Sequence, residues 1–287
     1  MERYNRQAEN IGNIQAMEHV NLTVPDLELA NRFYISGLGL TRDPYIDFGN
    51  FRVCWINAGD QQLHLPKSDP QILRGHIGII IPDRKSLVAR LELITESMRG
   101  TKFNWDEKGD YLEIVCPWGN RIRAFQPNPA KFGAMELGIP YVQLDVAKGT
   151  ADGISRFYEQ VIGCKTVLEN EKVTVQAGIN QLLIFKETEF PIAEYDGHHI
   201  AVYVSNFSRP HEYLSSKGLI SEESDKFQYR FQAIVDPDGD TTKPLFELEH
   251  EVRSLTHPVF RRNLVNRNPS LNFFSYKKGT EAFTPSS

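Results

Sequence analysis

The chain reads as an α+β protein of two tandem modules, each built from paired βαβββ units. Three observations predict this. A set of short motifs recurs in the same order about 120 residues apart. Each half shows, twice, a short alternating apolar run, then a helical pattern, then two or three further alternating runs. And at 287 residues the chain has room for two domains of ordinary size, each with its own core.

The repeat is explicit. Val20-Asn-Leu22-Thr-Val24 echoes Val142-Gln-Leu144-Asp-Val146, and Arg32-Phe-Tyr34 followed by Gly39 echoes Arg156-Phe-Tyr158 followed by Gly163. Asn57-Ala-Gly59 with Gln62 echoes Gln176-Ala-Gly178 with Gln181. Gly75-His76-Ile77 echoes His198-His199-Ile200, and Cys116-Pro-Trp-Gly119 echoes Asp236-Pro-Asp-Gly239. The offsets lie between 119 and 124. Matches in one order at nearly one offset mean a duplicated module.

Taken in order, residues 1–13 form a polar N-terminal tail. The first module spans 14–128, the second 137–250, and a C-terminal tail 251–287. In module one an alternating strand from His19 to Val24 ends at Pro25-Asp26. Asp26 can cap a helix whose Leu27, Ala30, Phe33 and Tyr34 fall on one side, with Gly37 at its end. Strands follow over Phe51–Asn57 and Gln61–Leu65. A strand from His76 to Ile81, a helix from Arg84 to Ile94 and strands over Tyr111–Val115 and Arg121–Phe125 restate the plan. Module two repeats it, with helices over Ala151–Val161 and Arg209–Ser216. Between the modules, Gln126-Pro-Asn-Pro129 to Gly138-Ile-Pro140 is rich in turn residues. The last tail mixes aromatic and basic residues, among them Phe260, Arg261, Arg262, Phe273 and Tyr276. Such a mixture could bind an anion, but so many aromatics predict that it wraps over the modules or a partner subunit.

Composition narrows the class. A net charge of −5 gives no general reason to expect nucleic acid as a partner. No apolar run approaches the ~20 residues of a membrane helix. The polar start Met1-Glu2-Arg3-Tyr4 predicts no secretory leader, and a cytoplasmic location is expected. Cys54, Cys116 and Cys164 are an odd count without metal-motif spacing and read as buried reduced thiols.

The chemistry gathers at Asp196-Gly-His198-His199, which opens the strand Ile200-Ala-Val-Tyr-Val204, and at Leu245-Phe-Glu247-Leu-Glu249 on a later strand. A histidine at one strand start and a carboxylate on another can converge on one ion if the strands share a sheet.

Paired βαβββ units, with Arg-Phe-Tyr…Gly on the helices and Pro-Asp-Gly…Phe-Glu at a strand turn, resemble the vicinal oxygen chelate superfamily. It includes glyoxalase I, extradiol ring-cleaving dioxygenases and metal-free bleomycin-resistance proteins. The resemblance covers about residues 14–250 and implies glyoxalase/extradiol dioxygenase-like half-barrels. It also implies metal ligands at the start of the first strand and on the last strand of each half. Carried over residue by residue, those positions are His19, His64, His76 and Arg123 in module one, and Tyr141, Leu183, His199 and Glu247 in module two. Neither set is complete, since a guanidinium at Arg123 cannot ligate a cation. If each module closes its own barrel, both sites are flawed. If the halves cross, His19, His64, His199 and Glu247 form one complete site, while Tyr141, Leu183, His76 and Arg123 form a dead one. The crossed pairing is preferred for this clean sorting.

His19, His199 and Glu247 make a two-histidine, one-carboxylate set that leaves positions open for a chelating substrate. The expected function is that of a metal-dependent enzyme. The first choice is a non-haem Fe(II) ring-cleaving-type dioxygenase on a vicinally oxygenated small molecule. The alternatives are a glyoxalase I- or epimerase-like lyase or isomerase using Zn, Ni, Co or Mn, and a metal-free small-molecule binding protein. His64 stands as ligand or as acid/base. His198 faces away from His199 in a regular strand and is a candidate acid/base in support of it. Tyr229 and Arg230 are candidate donors to a substrate oxygen. Trp55 reads as core. Asp236-x-Asp238-x-Asp240 fails as a calcium loop because its glycine is misplaced. No Gly-rich phosphate loop is present. The partner expected is a small-molecule substrate, with homo-oligomerisation left open.

Overall fold

The computed structural model describes residues 4–45, 52–268, 270–272 and 274–279. Phe51, at the start of an expected strand, and Phe273 of the tail lie outside the described residues.

The chain folds as the βαβββ unit four times over. The first comprises β1 (Ile14–Asn21), α1 (Leu27–Asn31), β2 (Thr41–Arg42), β3 (Val53–Ala58) and β4 (Gln61–Pro66). The second comprises β5 (Gly75–Ile80), α2 (Arg84–Ile94), β6 (Asn104–Lys108), β7 (Tyr111–Val115) and β8 (Arg121–Phe125). A short α3 (Pro129–Phe132) sits in the turn-rich joint. The third comprises β9 (Gly138–Ala147), α4 (Ala151–Arg156), β10 (Thr166–Glu169), β11 (Lys172–Gln176) and β12 (Leu182–Thr188). The fourth comprises β13 (His199–Val204), α5 (Ser208–Ser216), β14 (Ile220–Asp225), β15 (Gln228–Ile234) and β16 (Phe246–Ser254). Among the described residues these strands fall into two mixed sheets. No helix there is long and apolar enough to cross a membrane.

Local chemistry explains the elements. The Asp26 carboxylate accepts from the N–H groups of Glu28 and Leu29, satisfying two donors that the first helical turn leaves open. Helix α1 then passes into a π-helical segment, Arg32–Gly37, and α4 into Phe157–Ile162. The wider turns fall on the Arg-Phe-Tyr motif in both copies. They put Phe33, Tyr34, Phe157 and Tyr158 wholly in the core. Gly39 and Gly163 follow with φ of 77° and 84°, a left-handed conformation that favours glycine. These motif residues recur because each performs a backbone or packing task.

The chain divides into two compact units. One holds Glu18–Pro140, Asp196–His199 and Thr256–Ser287; the other holds Met1–Met17, Tyr141–Tyr195 and Ile200–Leu255. In the first, strands run in the orders β1-β4-β3-β2 and β5-β8-β7-β6. β1 lies parallel to β4 and β5 parallel to β8, and the remaining pairs are antiparallel. In the second, the orders are β14-β15-β16-β13 and β10-β11-β12-β9, with β9 parallel to β12.

Asn13 is buried in the unit of the second module: its side chain donates to Ile162 O at 2.8 Å and accepts from Asn206 N at 2.6 Å. β16 continues to Ser254, past the expected boundary at 250, and the tail from Thr256 belongs with the first module. All three cysteines are buried and free. Burial pushes the Cys54 thiol up to about 11 and Cys164 up to about 12, so both stay protonated and unreactive near neutrality.

Candidate metal centre

The first unit builds one face from β1, β4, β3 and β2. His19 and Asn21 on β1 sit two apart, as do Gln62 and His64 on β4, so each pair points the same way. The parallel register sets His19 beside Gln62 and Asn21 beside His64. The antiparallel register sets Trp55 opposite His64 and Asn57 opposite Gln62. Thr41 lies opposite Asn57, and Asp43 N donates to Trp55 O, which carries the same face out to β2.

His199 joins this face from a distant part of the sequence. The segment Asp196–His199 is fastened to the loop after β4: Gln71 Nε2 donates to Asp196 O at 2.9 Å, and Ile72 N donates to Asp196 Oδ2 at 2.6 Å. One ring nitrogen from each of His19, His64 and His199 lies within 4.8 Å of the other two. Two ligands at ~2.1 Å from one ion stand at most ~4.2 Å apart, so the three nitrogens lie close to the spacing that one ion sets. His19 and His199 are buried and His64 half-buried. His19 Nε2 is buried with no hydrogen-bond partner, and a bare imidazole nitrogen of that kind is a ready ligand.

The rings are held from behind. His19 Nδ1 lies 3.1 Å from Glu18 Oε2, and the carboxylate fixes the ring so that Nε2 faces the group. Trp55 lies flat on His64, with ring centroids 3.9 Å apart and planes at 16°, and presents its edge to His19 at 4.9 Å. His198 turns its Nδ1 to Asp196 Oδ1 at 2.6 Å. Burial raises Asp196, but the hydrogen bonds from His198 and the Ile72 N–H outweigh that and hold its carboxyl below the usual carboxylate range.

No family model matches the sequence, and no curated protein matches it. Solved structures do. Glyoxalase I from Zea mays superposes with a TM-score of 0.59 at 14% identity, over 85% of this chain and 94% of that one. A protein of Bacillus subtilis subsp. subtilis str. 168, provisionally named a dioxygenase, superposes at 0.57 and 16% identity, over 85% and 86%. The chain has the fold of these structures, paired glyoxalase/dioxygenase-like βαβββ modules. At such identities the likeness is one of architecture, and the chemistry rests on the residues present.

On this glyoxalase-like frame the other expected site residues are placed as follows. His76 and Arg123 are not in the histidine group; Arg123 Nε donates to Glu113 Oε2 at 3.0 Å and its guanidinium covers the Tyr111 ring. In the second unit, Glu247 on β16 accepts from Gln232 Nε2 at 2.8 Å. Tyr229 lies on β15. It is fully buried against Phe207 and His211 at the α5 side, and burial pushes its hydroxyl far above the ordinary range. Alternation sends its neighbour Arg230 to the opposite face, where it pairs with Glu249 at 2.6 Å and with Glu251.

Sequence reading missed three contributors. Glu18 was overlooked because a neighbour in a strand is expected to face away. Trp55 was taken as core, although its alternation with His64 could have been read from a hairpin register. Arg262, described below, was legible only as part of an aromatic and basic tail that could bind an anion.

Proposed function

We propose that the protein is a metal-dependent enzyme, a non-haem Fe(II) dioxygenase of the ring-cleaving type acting on a vicinally oxygenated small molecule. The observation that carries this reading is the buried convergence of His19, His64 and His199, with His19 Nε2 left bare. Imidazoles of this kind suit a first-row divalent ion. The internal repeat nominates Glu247 as the carboxylate of such a site, one that would lower the net charge and leave adjacent positions open.

In this reading His19 and His199 hold the ion, with Glu247. Glu18 and the Asp196–His198 pair orient the ligands. His64, held against Trp55, is a ligand or moves a proton between its ring nitrogen and a substrate hydroxyl. Trp55 keeps water from the buried side. A bound ferrous ion supplies the capacity to hold two vicinal oxygens and O2 together. Three buried free thiols fit a reducing compartment such as the cytoplasm.

A second reading has its own support, the equally good superposition on glyoxalase I. There the same residues hold Zn, Ni, Co or Mn, and His64 acts as the base of a lyase or isomerase.

Elemental analysis of untagged protein, wild type beside His199→Ala, tests the proposal. About one iron per chain, lost in the variant, with O2 uptake on catechols or hydroquinones, is the expected result. Zinc, nickel or cobalt lost in the variant, with turnover of thiol hemiacetals and no O2 uptake, selects the second reading. No metal retained after reconstitution with each ion overturns both.

A further inference from the structure

The C-terminal tail lies on the same face as the histidines. Leu271 and Tyr276 pack with Val53 against Tyr45 and Trp55, and the Tyr45 and Tyr276 rings meet at 5.2 Å. Tyr45 Oη donates to Val265 O at 3.2 Å. Trp55, the centre of this packing, is the ring stacked on His64. The tail is therefore a wall of the candidate site.

Arg262 is the buried polar group in that wall. Its Nη2 reaches both Asp43 Oδ2, as an ion pair, and Gln62 Oε1 at 3.2 Å. Gln62 Nε2 donates to Asp43 Oδ2 and to Asn57 Oδ1, each at 2.6 Å. Gln62 is the register partner of His19 and lies two residues from His64 on the same face, so this network borders the histidine group. The Arg262 side chain is 5% exposed and Asp43 0%. Yet Arg262 Nη1 is buried with no hydrogen-bond partner. A buried donor left without an acceptor is unfavourable, and an incoming oxygen relieves it. Asp43 already balances the guanidinium charge and fixes its plane, leaving the second nitrogen to take an oxygen from elsewhere.

We propose that Arg262 is a specificity-determining residue that binds an anionic group, of the carboxylate class, on the substrate. The substrate's ring lies against Trp55 and the tail aromatics, and its vicinal oxygens face the histidines. This rests on the metal-site reading above and narrows its substrate class to carboxylated aromatic diols. The buried Asp43–Arg262 pair does two tasks, holding the tail on the sheet and presenting Nη1.

The test uses full-length protein loaded with Zn(II), so that ligands bind without turnover, and two probes, catechol and 3,4-dihydroxybenzoate. Calorimetric titration gives both dissociation constants, and elemental analysis is run on the same samples. The wild type is expected to bind the carboxylated probe about tenfold or more tightly, the range of one charge-assisted hydrogen bond. The chain's net charge of −5 works against any anion at long range, so such a preference has a local origin. The double variant Arg262→Met with Asp43→Asn leaves no lone buried charge; it is expected to bring the ratio of the two dissociation constants to about one. Arg262→Lys keeps the charge but not the fork and is expected to retain part of it. Equal binding of the two probes by metal-loaded wild type overturns the inference and leaves the metal reading standing, as does a preference that survives in the double variant. Failure of the wild type to hold metal overturns both.

Discussion

Trp55 lies flat on His64, 3.9 Å between ring centroids, from the strand directly opposite in the β3–β4 hairpin. The hairpin register alone aligns them, and the stack holds the imidazole against rotation. Replacing Trp55 by alanine removes a buried indole and should cost about 3 kcal/mol or more in denaturant unfolding. Trp55→Phe should cost less and retain metal. A Trp55→Ala protein that unfolds at the wild-type midpoint would refute the stack as a structural support.

The metal-site reading separates histidines by position. His19→Ala and His199→Ala should each abolish metal retention on gel filtration, and Glu247→Ala should do the same. His76→Ala, outside the group, should leave it intact. The reverse pattern, His76 required and His19 dispensable, would show that each module closes its own site.

Glu18 acts through His19. Glu18→Gln leaves the ligands in place but weakens the hydrogen bond at Nδ1, and metal affinity should fall about tenfold to a hundredfold in competition with a chelator. An unchanged affinity would reduce Glu18 to a surface carboxylate.

His250 gives a prediction on pH. Burial lowers it to about 4, and its neutral ring is held between Tyr158 Oη and Leu248 O, each at 2.7 Å, and stacked on Phe231. The unfolded chain binds a proton there near pH 6.5 and the folded chain does not. This contribution is therefore complete above about pH 6.5 and is lost progressively toward pH 4, by at most ~1.4 kcal/mol per pH unit. In His250→Gln, unfolding free energies measured from pH 7.5 to 4.5 should show a flatter slope than in wild type.

Arg156 grips Asp236 through two contacts, Nε to Oδ1 at 3.0 Å and Nη2 to Oδ2 at 2.6 Å, tying the repeated helix motif to the Asp-Pro-Asp-Gly turn. That hydrogen bonding lowers Asp236 below its ordinary value. The stabilisation is present above about pH 4, the unfolded carboxyl's range, and is lost as pH falls through the lower folded value. Arg156→Ala should lower stability at pH 7 by about 1 kcal/mol, the size for a pair still partly in water. The two proteins should converge as pH falls through that lower folded value.

Much of this was written locally. The duplicated motifs marked four βαβββ units, because Asp26 caps a helix and Gly39 and Gly163 turn one out through a left-handed residue, whatever lies elsewhere in the chain. Alternation showed which strand residues share a face, and histidines at strand starts stood out as candidates. The face that Tyr229 takes was not legible by the same logic. One step along β15 exchanges the α5 side for the Glu247 side, and the residue type of a tyrosine does not say which it occupies.

The sequence by itself determined the modules, their caps and turns, and the candidate histidines, since these depend on neighbours a few residues away. Tertiary structure decided that His199 meets His19 and His64, that Glu18 bends back to His19, and that Arg262 is buried on Asp43, 219 positions earlier. Such pairings are set by which surfaces bury each other when the chain collapses. Burial energy depends on the area removed from water and not on separation along the chain, so no local pattern announces them.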